Sequence, residues 1–419
     1  MLILFDGGLN TSISSVRAVI LPASLLATIG VLMTAGIVAL FARLFGLSWP
    51  AAMLLGAVVS STDAAAVFAV LRGGSLTLRP RVGRTIEVES CINDPMAVIL
   101  TTTLIAIFSG EQRAVSAVLL DVPLQLAIGV GVGIVIGLLA GAVLCRLQLR
   151  TTGLYPAFTL AMAMGAFGLA TVAWGSGFLA VYVAGLVMGN TRMPQHSGLI
   201  RVHDALAWLS QIGMFLMLGL LVFPSRLLDI LWIGLAMAII VAGIARPAAG
   251  FACLAPIRYP TRETLYVSWI GLRGAVPIIL ATFPVLANVP EADRVFNIVF
   301  FIVVASAIFP GATIRWVTRR MNMDIPQRPT PPAVLEINSI HRMDGNIQSF
   351  HIDDSVAVCN ALLAEIEFPQ GVSVLLIVRD RSPIPAKGKT RLQAGDHVYL
   401  FFPDAERTFI ELLFGSPEG

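Results

Sequence analysis

Charge is what this chain has least of. Asp, Glu, Lys and Arg make up 13% of its 419 residues against 57% hydrophobic side chains, and the mean hydropathy is +0.84. Soluble globular domains carry about 25% charged residues, so a protein dissolved in water is excluded. The four cysteines, Cys91, Cys145, Cys253 and Cys359, are scattered with no C-x-x-C pair. Neither a disulfide framework nor a zinc site is implied, and they read as small packing residues. The net charge of +3 is small, and the arginines stand at the ends of apolar runs instead of in one patch, which leaves no nucleic-acid footprint. Ten-residue alternation of the barrel kind is missing. No nucleophile stands with a base or a metal set, which counts against an enzyme, and no cofactor is implied.

What the chain has is length of apolar run. Ten runs, 17–43, 49–71, 86–109, 115–145, 154–173, 176–190, 205–223, 227–255, 263–287 and 294–316, approach or exceed the roughly 20 residues a helix needs to cross about 30 Å of hydrocarbon. Arginines follow every second run: Arg72, Arg79, Arg81 and Arg84, then Arg146 and Arg150, Arg192 and Arg201, Arg258 and Arg262, and Arg315, Arg319 and Arg320. Those ends are expected in the cytoplasm. The opening Met-Leu-Ile-Leu-Phe before Asp6 is too short for a signal peptide and reads as the tail of a helix.

After the tenth run the composition changes. Residues 321–333, with Asp324-Ile-Pro-Gln-Arg-Pro-Thr-Pro-Pro332, read as a proline-rich spacer. Beyond it, 334–415 reads as a small soluble α+β module. Strand patterning is expected at 334–340, 373–379 and 397–402, and helical spacing at 356–367. The transmembrane part is then 1–320.

Asp63, Glu89, Asp94 and Arg273 lie inside apolar runs. Intramembrane charges mark ion pathways. Ser60-Ser-Thr-Asp63 sits mid-run, so its polar atoms need partners inside the protein, and an unwound crossing point is expected there. In Glu89-Ser-Cys-Ile-Asn-Asp-Pro95, helical spacing puts Ser90 above Asp94 and Glu89 above Asn93. In Gly271-Leu-Arg-Gly-Ala-Val-Pro277, glycine and proline weaken a second helix, and Arg273 needs a buried anion, for which Glu89 is the expected partner. The first three and last three runs each hold an interruption in their middle member and are oppositely oriented by arginine count. Inverted halves with broken helices are the mark of a secondary transporter. A carboxyl group in a low-dielectric cavity binds a proton more tightly than in water, so H+ and a dehydrated alkali ion compete for it. Asp94 is the expected competing group, Asp63 shapes its field, and Thr62, Ser90 and Asn93 supply neutral oxygens.

The glycines of Gly129-Val-Gly-Val-Gly-Ile-Val-Ile-Gly137 lack nucleotide-loop spacing and read, through Gly133, Gly137 and Gly141, as a row for close helix packing. His196 and His203 read as solvated loop histidines.

The three motifs Ser61-Thr-Asp-Ala-Ala-Ala-Val-Phe68, Glu89-Ser-x-x-Asn-Asp-Pro95 and Gly271-Leu-Arg-Gly-Ala-Val-Pro277 together resemble the NhaP-type monovalent cation/proton antiporters of the sodium/hydrogen exchanger superfamily. The segment around Gly371 to Phe402, with Arg391-Leu-Gln-Ala-Gly-Asp396, is similar to the regulatory RCK C-terminal (TrkA-C) module. That pairing resembles the potassium/proton antiporter branch. The resemblance implies an all-α polytopic membrane bundle with inverted repeats and two interrupted crossing helices, plus a small cytoplasmic α+β domain. It also implies K+ or Na+ held at Asp94, beside Asn93, Thr62 and Asp63, with Glu89 and Arg273 as a structural ion pair. Electroneutral exchange in an inner membrane is implied, as are two or three further helices ahead of residue 1, through which copies form a homodimer. A small ligand on the C-terminal domain is a further expectation. The competing reading is a gated cation channel with a ligand-sensing tail, which would need a repeated oxygen-lined filter.

Overall fold

The computed structural model describes residues 1–72, 76–109, 115–146, 151, 153–191, 196–220, 230–325, 345–354, 356–380, 382–415 and 417, and there the ten apolar runs are mainly helical, with breaks inside 49–71 and 263–287. In chain order the helices are α1 (Leu2–Asn10), α2 (Ile13–Leu44), α3 (Trp49–Val59), α4 (Ala64–Arg72), α5 (Pro80–Phe108), α6 (Val115–Arg146), α7 (Leu154–Val172), α8 (Gly177–Gly189), α9 (His196–Leu220), α10 (Leu231–Leu254), α11 (Thr261–Trp269), α12 (Ala275–Leu286) and α13 (Ala292–Arg320). Among the described residues six helices are long and apolar enough to cross a bilayer, and α3 with α4 make a seventh crossing bent by 45°. Leu44, Leu139, Leu216 and Leu286 turn outward, as side chains facing acyl chains do.

The two trios repeat one plan in detail. α2 carries a π-helical turn at Leu26–Gly30 and α10 one at Val241–Ala245. The middle members break between α3 and α4 and between α11 and α12. The last members, α5 and α13, are each 29 residues long with one proline inside, Pro95 and Pro310. A shared apolar core of Val38, Leu55, Val58, Ile240, Ile278 and Ile298 joins the trios. A two-stranded ladder of β1 (Thr77–Leu78) on β2 (Asp324–Ile325) ties the end of α4 to the end of α13, and Arg315 Nε donates to Val70 O at 3.1 Å beside it.

A second group forms around α8, the most apolar of its neighbours. The glycine row of α6 packs on it as expected: a Cβ added at Gly133 or Gly137 would come within 2.8 Å of Val183 or Val187. α1 lies on the other side of α8, and Asn190 closes the turn after α1 by donating to Thr11 O at 2.8 Å and accepting from Ile13 N at 3.0 Å. His203 corrects an expectation. It is 1% exposed in α9, with Nε2 2.7 Å from Thr159 Oγ1 and its ring edge-on to Phe5. A helix that extends back to His196, with α1 packed on it, buries a position that loop reasoning leaves in water.

The chain divides into two compact units, 1–325 and 326–419. The second holds a four-stranded antiparallel sheet in the order β3-β6-β4-β5, from β3 (Asn346–His351), β4 (Ser373–Arg379), β5 (Ser382–Ile384) and β6 (His397–Phe402), followed by α14 (Arg407–Phe414). Phe350, Ile377, Val398, Phe402, Ile410 and Phe414 form its core. Strands stand where 373–379 and 397–402 predict them, and 334–340 lies outside the described residues. The helix expected at 356–367 is absent. Asn360 adopts the left-handed region (φ 66), and Asn360, Leu363 and Ala364 donate to the carbonyls of Leu392, Thr390 and Gly388, so pairing with 388–392 replaces a helical ladder. Asp396, 0% exposed, takes both Arg379 Nε (2.6 Å) and Nη2 (2.8 Å) and also Gln393 N. That contact holds the Arg379 guanidinium above its ordinary pKa.

Candidate functional site

The first break follows from polar side chains competing with the backbone. Ser60 Oγ turns back to Ala57 O at 2.6 Å, which ends α3. Asp63 then starts α4 by accepting from Ala66 N at 3.2 Å, the usual work of an N-cap carboxylate. The second break follows from glycine: Gly274, in extended conformation, begins α12. The two breaks cross in direct contact, with Asp63 N donating to Leu272 O at 2.8 Å. A Cβ on Gly274 would overlap Asp63 Oδ2 and stand 2.6 Å from Asp63 Cβ. Gly274→Ala is therefore expected to push the crossing apart and cut exchange at least tenfold while protein still reaches the membrane, since about 1–3 kcal/mol of overpacking falls at the site itself. Transport normalised to vesicle protein content checks it, and parent-level exchange would count against the crossing as described.

Four half-helix ends meet here, and their charges are matched. The carbonyl ends of α3 and α11 carry partial negative charge, the amide ends of α4 and α12 partial positive. Arg273 answers the first pair: Nε donates to Val59 O at 3.1 Å, Nη1 donates to Gly271 O, and the backbone N reaches Ser306 Oγ at 3.3 Å. Asp63 answers the second pair.

α5 supplies the wall against which the first break is locked. Ser90 Oγ donates to Thr62 O at 2.7 Å and accepts from Ala64 N at 3.0 Å; Asn93 Nδ2 donates to Thr62 Oγ1 at 2.7 Å and its Oδ1 faces Thr62 N at 3.4 Å. Thr62, Asp63, Ser90 and Asn93 thus converge as the motifs suggest. In this arrangement Ser90 and Asn93 hold the unwound backbone.

The expected Glu89–Arg273 pair is corrected. Glu89 Oε1 lies 2.5 Å from Arg246 Nη2, both side chains at most 2% exposed. Arg273 is near enough to feel Glu89 and Arg246 but is engaged with carbonyls. The signal for Arg246 was present, as an arginine inside the run 227–255. Distance alone chooses between two arginines that each need an anion. Gly271 permits their approach: a Cβ there would meet Arg246 Nε at 2.8 Å and Arg273 Nη1 at 3.3 Å.

Asp94 is left over. It is half-buried, makes no ion pair among the described residues, and lies in the field of Asp63 and beside Ser61. The Ser61 hydroxyl, 1% exposed, faces the Asp94 carboxyl. Two carboxylates and a buried hydroxyl therefore stand together beside the crossing of the two broken helices.

Residues 1–320 match the sodium/hydrogen exchanger transmembrane family. The chain belongs to that family. Residues 347–413 match the TrkA-C domain. The exchanger is 41% identical over 99% of its length to the K+/H+ antiporter NhaP of Alkalimonas amylolytica, and 38% identical over its whole length to the K+/H+ antiporter NhaP2 of Shewanella oneidensis; it spans 73% of each. The fold matches the sodium proton antiporter MjNhaP1 of Methanocaldococcus jannaschii, with a TM-score of 0.67 at 23% identity over 76% of this chain and 83% of that one. It is a multi-pass membrane antiporter, and the channel reading is set aside.

Proposed function

We propose that this exchanger moves K+ and H+ in opposite directions across a bacterial inner membrane, one ion for one proton, with Asp94 holding either but not both. The observation that carries the proposal is Asp94 itself, a half-buried carboxyl without an ion pair among the described residues, beside the crossing of the broken helices. Asp63, Thr62 and Ser61 supply further oxygens, while Ser90 and Asn93 fix the backbone that carries them. K+ is favoured because the K+/H+ antiporters from Alkalimonas and Shewanella align with this chain along its full length, tail included. The arginine-bearing helix ends and the TrkA-C domain face the cytoplasm, the tail adjusts activity on binding a small ligand, and the protein works as a homodimer.

Everted vesicles test the exchange. Fluorescence dequenching is followed as K+, Na+ and Li+ are titrated across pH. K+ is expected to reach half-maximal effect at the lowest concentration. A lower midpoint for Na+ would overturn the K+ assignment and keep antiport; no response to any of the three would overturn both.

A further inference from the structure

A polar cluster outside the crossing lies on the same helix as Asp94. Glu87 precedes Asp94 by seven residues, so the two share a face of α5 about 10 Å apart along its axis, with Cys91 between them. Glu87 is half-buried, and Arg84, one turn nearer the arginine-rich end of α5, is exposed. The face is met by two other helices. Thr11, at the end of α1 and 3% exposed, has Oγ1 2.7 Å from Glu87 Oε1. Tyr182 of α8 is 3% exposed, with its hydroxyl against Thr11 and Cys91 and in the field of Glu87. A carboxylate, the hydroxyl 2.7 Å from it and a buried phenol beside that hydroxyl bring three oxygen-bearing side chains together. Alkali ions, hard cations, prefer carboxylate, hydroxyl and carbonyl oxygens.

We propose that Glu87, Thr11 and Tyr182 form an outer station that holds the cation on its way between the arginine-rich face of the membrane and Asp94. The proposal rests on Asp94 being the exchange site. The cation is drawn past the exposed rim by the Glu87 carboxylate, takes Tyr182 and Thr11 oxygens as it loses water, and moves along the α5 face to the pocket at Ser61 and Asp94. Entry from the opposite face does not use it.

Glu87→Gln keeps an oxygen to accept from Thr11 and removes only the charge, so a purely structural hydrogen bond survives the change. In everted vesicles the apparent KM for the cation is expected to rise about five- to tenfold, the factor one charge-assisted contact is worth, with the maximal rate within about twofold. Tyr182→Phe raises KM in the same direction by less, and Glu87→Asp returns it toward the parent value. With cation on the opposite face, in right-side-out vesicles, KM stays at the parent value. An unchanged KM for Glu87→Gln, or an equal rise on both faces, overturns the station while Asp94→Asn remains inactive. Exchange that persists in Asp94→Asn overturns the reading of Asp94, and this proposal with it.

Discussion

If Asp94 is the exchange site proposed above, vesicles carrying Asp94→Asn are expected to show no cation-dependent dequenching above vesicles lacking the protein. Asparagine has the size and the hydrogen-bonding edge of the aspartate, so the α5 face and the locked break at Thr62 stay as they are. What goes is the one property both fluxes need, an oxygen that takes up a proton or balances a cation's charge. Because the same group serves both, neither flux survives alone, and no uncoupled leak is expected. Asp94→Glu keeps that property and retains measurable exchange, displaced in its pH range. Asp63→Asn behaves differently: its Oδ1 still accepts from Ala66 N, so the crossing forms, and exchange is weakened by loss of a neighbouring charge instead of abolished. If Asp63→Asn were silent and Asp94→Asn active, the roles assigned to the two carboxylates would be exchanged.

The helices of this exchanger were legible in its sequence because a bilayer imposes a length and a composition that few other constraints mimic. The crossing was legible for a related reason: Ser60 to Asp63 and Gly271 to Gly274 are polar or glycine-rich where hydrocarbon demands otherwise. Pairing was less legible. Arg246 and Arg273 both lie in apolar runs, and only the third dimension shows that carbonyls at Val59 and Gly271 engage one while Glu89 takes the other. In the tail, helical spacing at 356–367 was overridden because the carbonyls of 388–392 offered the same backbone groups partners across a series of turns. Glu87 and Tyr182 were hidden for a third reason. A carboxylate near a helix end looks like a boundary residue until a buried hydroxyl from another helix is found facing it.

Removing the Glu89 carboxylate is expected to cost about 3–5 kcal/mol, the range for stripping one partner from a buried ion pair. Arg246, 2% exposed, would be left a buried cation with no anion in contact. Its Nε already lacks a partner, so the loss falls on a guanidinium with little else to hold. Glu89→Gln and Arg246→Gln should each lower the thermal midpoint of purified protein sharply, and Arg246→Lys should recover little, since the ammonium lacks the planar fork. The double variant decides the pairing. If Glu89 and Arg246 are partners, the double change costs clearly less than the two single costs added, with a coupling of about 1.5 kcal/mol or more. The corresponding cycle of Glu89 with Arg273 should show a smaller coupling, since Arg273 answers carbonyl ends and reaches Glu89 only through space. The reverse order of couplings would restore Arg273 as the partner and require the guanidinium to leave the helix ends it caps.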